Sequence, residues 1–294
     1  VALGARSEST RYQRGETVAQ KAISAAVAEL RRLERVFSLF RADSAISQLN
    51  REGKLDEAPA DLVVMLERAL SLAKLSDGAY DPTVQPLWNL YYKHFAAAGA
   101  DPAGPPASAR AAALALVNWR QVEVDRSTLR IAFARPGMGL TLNSGAQGYI
   151  TDRVTDVLRA HGFERMLVDM GEPRALSAKP DGTAWRIGIA NPADRQETVA
   201  SFDVVDKCIA TSGGYGTILD AAGSFTHIFN TRDGSTAPAM SSVSVIAKTG
   251  IAADGLATAM LMVPTHRREA VLRAGGGEKA IFVTPQGVAA TVNA

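Results

Sequence analysis

Apolar residues recur at helical spacing over 17–39: Val18, Ala22, Ile23, Ala26, Leu30, Leu33 and Phe37, with Arg31, Arg32, Glu34 and Arg35 largely opposite. This pattern predicts an amphipathic helix. Asp43-Ser44 can cap a short turn leading to Ile46 and Leu49. A second helix is predicted over 60–76, where Leu62, Met65, Leu66, Ala69, Leu70 and Ala73 share a face, and it stops at Asp77-Gly78. Residues 99–110, rich in Ala, Gly and Pro, read as an exposed loop and the one candidate linker. Beyond residue 119 the pattern turns toward strands. A hairpin pairs 121–124 with 129–133 around Asp125-Arg126-Ser127, and a helix follows over 148–161. Strands are expected at 165–170, 184–190, 198–205, 226–230 and 242–247. Helices at 251–263 and 265–274 and strands at 279–283 and 288–292 complete the chain. The mixed order, without strict βαβ alternation, predicts an α+β fold of mixed and antiparallel sheets packed by helices. We read residues 1–294 as a single domain, with a possible subdivision near 99–118 unmarked by any shift in composition.

Composition narrows the classes. Across 294 residues, 47% are hydrophobic and 21% charged, enough for a sizeable core. The formal net charge of +2 argues against affinity built on a broad phosphate-backbone footprint. The one cysteine, Cys208, excludes an intrachain disulfide and lies in an apolar run, as a buried structural thiol does. No run of eighteen apolar residues suggests a transmembrane helix. The chain begins at Val1 rather than Met, which we read as a processed terminus compatible with a removed signal peptide.

Three segments carry candidate chemistry. In Ala253-Asp254-Gly255-Leu256-Ala257-Thr258, a carboxylate and a hydroxyl stand four residues apart on one face of an otherwise apolar helix. Two hard oxygen donors so placed suit Mg²⁺. Alternatively, Asp254 caps the helix and Thr258 bonds back to its carbonyls. Thr211-Ser212-Gly213-Gly214 follows an apolar run and reads as a small-residue turn, either a phosphate cradle or an ordinary turn. Leu142-Asn143-Ser144-Gly145-Ala146-Gln147-Gly148-Tyr149 is a glycine-bearing turn opening a helix, a second place for an anion. One metal and two such turns suggest a nucleotide diphosphate. No Walker motif, Rossmann fingerprint, zinc spacing or nucleophile elbow competes with this reading. His227 lies in a strand-like stretch and is either a satisfied histidine or a base. Gly78-Ala79-Tyr80-Asp81-Pro82 could be a plain turn, and Phe40 could be core.

Taken in order, these segments resemble the ApbE family, the FAD:protein FMN transferases. The resemblance rests on Phe37-Ser38-Leu39-Phe40 with Asp43-Ser44-Ala45-Ile46-Ser47-Gln48-Leu49-Asn50, and on Gly78-Ala79-Tyr80-Asp81-Pro82-Thr83-Val84-Gln85-Pro86-Leu87. It continues through Gly148-Tyr149-Ile150-Thr151-Asp152, Trp185-Arg186-Ile187-Gly188-Ile189, Ala210-Thr211-Ser212-Gly213, His227-Ile228 and Ala253-Asp254. It covers nearly the whole chain. It implies an ApbE-like, T-fold-like architecture and Mg²⁺-dependent transfer of FMN from FAD to a Thr or Ser hydroxyl of a target flavoprotein, releasing AMP. By the same resemblance, Asp254, Thr258 and the Ala146 carbonyl would hold the metal. Phe40, Ala79, Tyr80, Asp81, Asn143, Tyr149 and Ile228 would line the FAD site, and Thr211, Ser212 and Gly213 would lie by the diphosphate. His227 and Asp254 are the candidate catalytic residues, His227 as base. The expected acceptor is a membrane-attached flavoprotein and the expected compartment the periplasm. Gln147, Asn230, Gly214 and Gly171-Glu172 depart from the usual pattern. The alternatives are an FAD pyrophosphatase, with water as nucleophile, and a flavin-binding carrier without turnover.

Overall fold

The computed structural model describes residues 8–11, 16–237 and 241–294. A strand, β1 (Glu8–Arg11), precedes the long helix α1 (Glu16–Phe37), the short α2 (Ala45–Glu52), strand β2 (Lys54–Leu55), and helices α3 (Ala60–Leu75), α4 (Gln85–Phe95) and α5 (Ala107–Leu114). There follow β3 (Val122–Asp125), β4 (Arg130–Phe133), α6 (Asn143–Ala160), β5 (Met166–Asp169), β6 (Pro173–Leu176), β7 (Trp185–Ala190), β8 (Thr198–Val204) and β9 (Cys208–Gly213). The chain ends in β10 (Ser242–Ala247), α7 (Gly250–Met262), α8 (Arg268–Ala274), β11 (Gly277–Thr284) and β12 (Gly287–Asn293). The fold is α+β, as the mixed order of elements predicts.

Seven strands form an antiparallel sheet in the order β1-β5-β6-β9-β10-β11-β12. Alternation along its central strands divides the core into two layers. Cys208, Ala210, Val243, Val245, Ala280 and Phe282 face the helices, packing with residues of α1, α3, α6 and α7. Ile209, Ile246, Ile281 and Val283 face the other way, where the β7–β8 hairpin covers them with Trp185, Ile187, Ile189 and Val204. Helix α7 is apolar nearly all round because it is buried between the sheet and the other helices. The β2-β4-β3 strands form a separate sheet, whose Leu55, Val122 and Ile131 join the same helix-layer core. A third cluster unites Leu87 and Tyr91 of α4 with Phe229, and Phe225 packs against it.

Several local expectations need correction. Helix α4 follows the Gly78–Pro82 turn in a stretch to which the hydrophobic pattern assigns no element; Pro86 occupies its first turn, where a missing N–H costs nothing. Helix α5 starts inside the segment read as loop. Strand β6 begins at Pro173 and leaves no alternating pattern in the sequence. The strand expected at 226–230 makes only isolated bridges, Ile218 to Thr226 and Phe229 to Thr236. Its apolar spacing serves the aromatic cluster instead of a ladder: Phe229 is buried against Tyr91, and the Thr226 hydroxyl donates to the Ala237 carbonyl. The stretch Thr211-Ser212-Gly213 is itself strand, paired with Ser244, Val243 and Ser242, and the turn begins only at Gly214.

Candidate active site

The α6–α7 crossing builds the site. Helix α6 is broken at Ser144–Gly145, so Asn143 opens it and the regular helix starts beyond. Gly148 and Gly250 bring the two backbones together. A Cβ on Gly148 would lie 2.1 Å from the Gly250 carbonyl oxygen, and one on Gly250 would lie 2.4 Å from that of Gly148. No larger residue permits so close an approach. It leaves the Gly148 N–H free to donate to Asp254 Oδ2 at 2.9 Å. Asp254 is therefore not a helix cap: it sits inside α7, 4% exposed, and is bonded to a different helix. Thr258, one turn on, pairs with Ser212 across to β9, Oγ1 to Oγ 2.7 Å, rather than bonding back along its own helix.

Among the described residues no Lys, Arg or His lies within ion-pair distance of Asp254. Burial pushes its carboxyl up to about 7, opposed by the Gly148 N–H, and the neighbouring Asp152 charge adds to the rise. Glu172, on the β5–β6 turn, is 6% exposed and accepts the Thr211 N–H at 3.0 Å. Burial first, then the Asp254 charge, drives its carboxyl well above the usual carboxylate range. The same environment raises the buried Cys208 thiol. Tyr80 is buried nearby; its hydroxyl accepts from Ser144 Oγ at 3.1 Å, and burial with the Asp254 charge raises it. Asp254, buried without a cation and one helical turn from the Thr258 hydroxyl that meets Ser212, offers oxygen donors of the kind a hard divalent ion takes, and the buried Glu172 carboxylate lies near enough to feel its charge. Ala146 is fully buried two residues before the Gly148 amide, where its carbonyl could complete such a set. No group of three or more His, Cys, Asp or Glu side chains suited to a metal occurs among the described residues. A site built from one carboxylate, one hydroxyl and a carbonyl would not form such a group.

The other candidate residues fall in different places. Thr211 and Ser212 point to opposite faces of the sheet: Ser212 meets Thr258, whereas Thr211 Oγ1 meets Ser244 Oγ at 2.7 Å on the hairpin side. Gly213 is packed under the Tyr215 ring. His227 lies against Gly216 in the turn that follows β9. Its Nδ1 is 3.1 Å from the Thr217 carbonyl. Because a carbonyl only accepts, Nδ1 carries the proton and Nε2 is the basic nitrogen. Burial lowers its pKa, which favours the neutral ring. Ile228 is buried beside it in sequence. Phe40 is 75% exposed on a turn, which removes the core reading. Ala79 is buried, and the Asp81 carboxylate is occupied by the Thr83 N–H and hydroxyl and the Trp119 N–H, 2.6–3.0 Å. Asn143 is exposed at the start of α6. Tyr149 turns away from the crossing, its ring edge-on to Phe37 and its hydroxyl donating to Asp61 at 2.7 Å. Glu172 and Asp152 carry no local sequence signal of a site role. Glu172 stood out only as a departure from a family pattern, and nothing in local spacing links it to Asp254.

Fold and junction together define an α+β protein with two buried acidic side chains between a glycine-paired helix crossing and a sheet. The family model described as "ApbE family" matches residues 3–282. The chain belongs to the ApbE family. It is 30% identical over 278 residues to the FAD:protein FMN transferase of Treponema pallidum, covering 87% of this chain and 75% of that protein. It is also 30% identical to the protein of the same name from Vibrio cholerae, covering 81% and 72%. Among solved structures, the apo flavinyl transferase ApbE of Pseudomonas stutzeri superposes with a TM-score of 0.77 at 27% identity, over 98% and 94% of the two chains. The ApbE protein of Thermotoga maritima shares the fold, TM-score 0.85 at 23% identity, over 100% and 95%.

Proposed function

We propose that this chain is an FAD:protein FMN transferase that moves FMN from FAD to a Thr or Ser hydroxyl of an acceptor flavoprotein and releases AMP. The name its relatives carry supports the reaction class. The observation that carries the proposal for this chain is the uncompensated carboxylate of Asp254 beside Thr258 and Ser212. Asp254, Thr258 and the Ala146 carbonyl would hold Mg²⁺, with Glu172 close enough to strengthen the negative field. When bound, the ion neutralises charge on the diphosphate and on the departing phosphate oxygen. The chain's residues do the rest. Ser212 fixes the Thr258 hydroxyl, Gly148 fixes Asp254, and Phe40 offers an exposed ring for flavin stacking. His227 Nε2 accepts the proton as the acceptor oxygen bonds to the FMN phosphorus and the P–O bond to AMP breaks. We further propose a membrane-attached acceptor and a periplasmic setting.

Mass spectrometry of candidate acceptors incubated with the chain, FAD and Mg²⁺ tests the reading. The expected product is an acceptor heavier by one FMN, formed only with Mg²⁺. Asp254→Ala should lower the rate about 10³-fold or more, since such metal stabilisation contributes several kcal/mol. Free FMN and AMP with no adduct on a competent acceptor would mean that water is the nucleophile. Intact FAD after long incubation would leave only a carrier.

A further inference from the structure

The first N–H groups of any helix lack partners within it. In α7 they include Gly250 and Ile251, and the preceding Thr249 makes no side-chain cap. Asp152 of α6 supplies the cap from outside. Its Oδ1 accepts from Gly250 N at 2.7 Å and its Oδ2 from Ile251 N at 3.1 Å. Arg174 of β6 forms a half-buried ion pair with the same carboxylate. One turn earlier on α6, Gly148 donates to Asp254, which lies one turn further along α7. The two helices thus grip each other at both ends of the glycine crossing: each carboxylate takes backbone N–H groups from the opposite helix.

We infer that Asp152, held by Arg174, is a positioning residue for the metal site, one that fixes the rotation and height of α7 and so the place of Asp254 and Thr258. This rests on the function proposed above. A cap on Thr249 would start the helix equally well but would leave α7 free to turn relative to α6. One residue of helical rotation is about 100° and would carry Asp254 off the Gly148 amide. Two-point capture of consecutive N–H groups by one carboxylate, itself tied to the sheet, forbids that turn. A negative charge also suits the positive end of the helix.

The test is a Mg²⁺ titration of the FAD complex without acceptor, followed by flavin fluorescence, with hydrogen exchange over residues 249–256 measured in parallel. In Asp152→Asn one N–H must face the amide nitrogen, donor against donor. The half-saturating Mg²⁺ concentration should rise about 10- to 100-fold, as for other residues that orient metal ligands, and exchange at the start of α7 should accelerate. Arg174→Met, which leaves the carboxylate but removes its cation, should move both readouts the same way and serves if the first variant does not fold. Val283→Ala, in the hairpin layer, should lower the melting temperature yet leave the Mg²⁺ midpoint unchanged. A folded Asp152→Asn protein with a wild-type midpoint overturns the inference and spares the proposed function. A wild-type FAD complex without any Mg²⁺ response overturns both.

Discussion

At the residue scale, Asp254 is an acid whose burial is costly until something positive arrives. Its folded pKa, about 7, stands above the unfolded value of about 3.9. The folded state therefore holds the proton more tightly. This contribution to stability is complete below the unfolded pKa and is lost as pH rises through about 7. Glu172 is shifted in the same direction. The metal-free protein should melt at progressively lower temperature between about pH 4 and 7, the interval between the unfolded and folded values of Asp254. Mg²⁺ should flatten that slope, because it binds the deprotonated carboxylate. Scanning fluorimetry with EDTA or Mg²⁺ across the range checks this, and a slope unchanged by Asp254→Asn would locate the effect elsewhere. His227 behaves oppositely. Burial favours its neutral ring, so the acid limb of the transfer rate should lie below the ordinary imidazole range, activity falling as pH drops through it. His227→Gln should remove that limb and cost about 10²- to 10⁴-fold in kcat. A pH profile that keeps its acid limb in the variant would assign the base to another group.

At the element scale, the tolerance of the α6–α7 crossing is set by two glycines. Gly148→Ala would drive a methyl into the Gly250 carbonyl at 2.1 Å, with Asp254 Cβ at 2.9 Å, and neither contact is the soft end of a flexible side chain. The helices must part. We expect a loss of about 1–3 kcal/mol, the usual range for overpacking, measured by urea denaturation, together with loss of Mg²⁺ response. A Gly148→Ala protein of wild-type stability and metal response would mean that the crossing is not rigid. This contact also marks the limit of what sequence makes legible. Helices α1, α3 and α7 were readable because their apolar residues repeat with the helix or fill it, and the Asp254–Thr258 pair follows from the same period. Helix α4 was hidden because its buried side is little more than Leu87 and Tyr91. The false strand at 226–230 shows the converse: alternate burial in a loop that feeds the aromatic cluster imitates a strand. Glu172 and Asp152 were invisible as site residues because their partners lie 39 and about 100 positions away, a distance that no local period encodes.

At the scale of the whole molecule, the central sheet separates two layers with different duties. The site hangs from the helix layer, through Ser212 on β9 and through α6 and α7, while the hairpin layer touches it only through the Thr211 side of the sheet. The two layers share strands but not side chains, because alternate residues point opposite ways. Ile281 and Phe282 are neighbours on β11 that belong to different layers. Stability and site geometry should then be separable. Ile281→Ala empties space under the hairpin and should cost about 2–5 kcal/mol. Below its lowered melting temperature it should retain the wild-type Mg²⁺ midpoint and transfer rate. Leu256→Ala removes a similar volume from α7, where Leu256 packs against Gly275 and Gly277, and should cost as much while also weakening the Mg²⁺ response, because the helix that carries Asp254 loses its footing. Paired denaturation and metal-titration curves for the two variants decide the matter. If both perturb the midpoint equally, the sheet transmits strain between its faces and the separation fails.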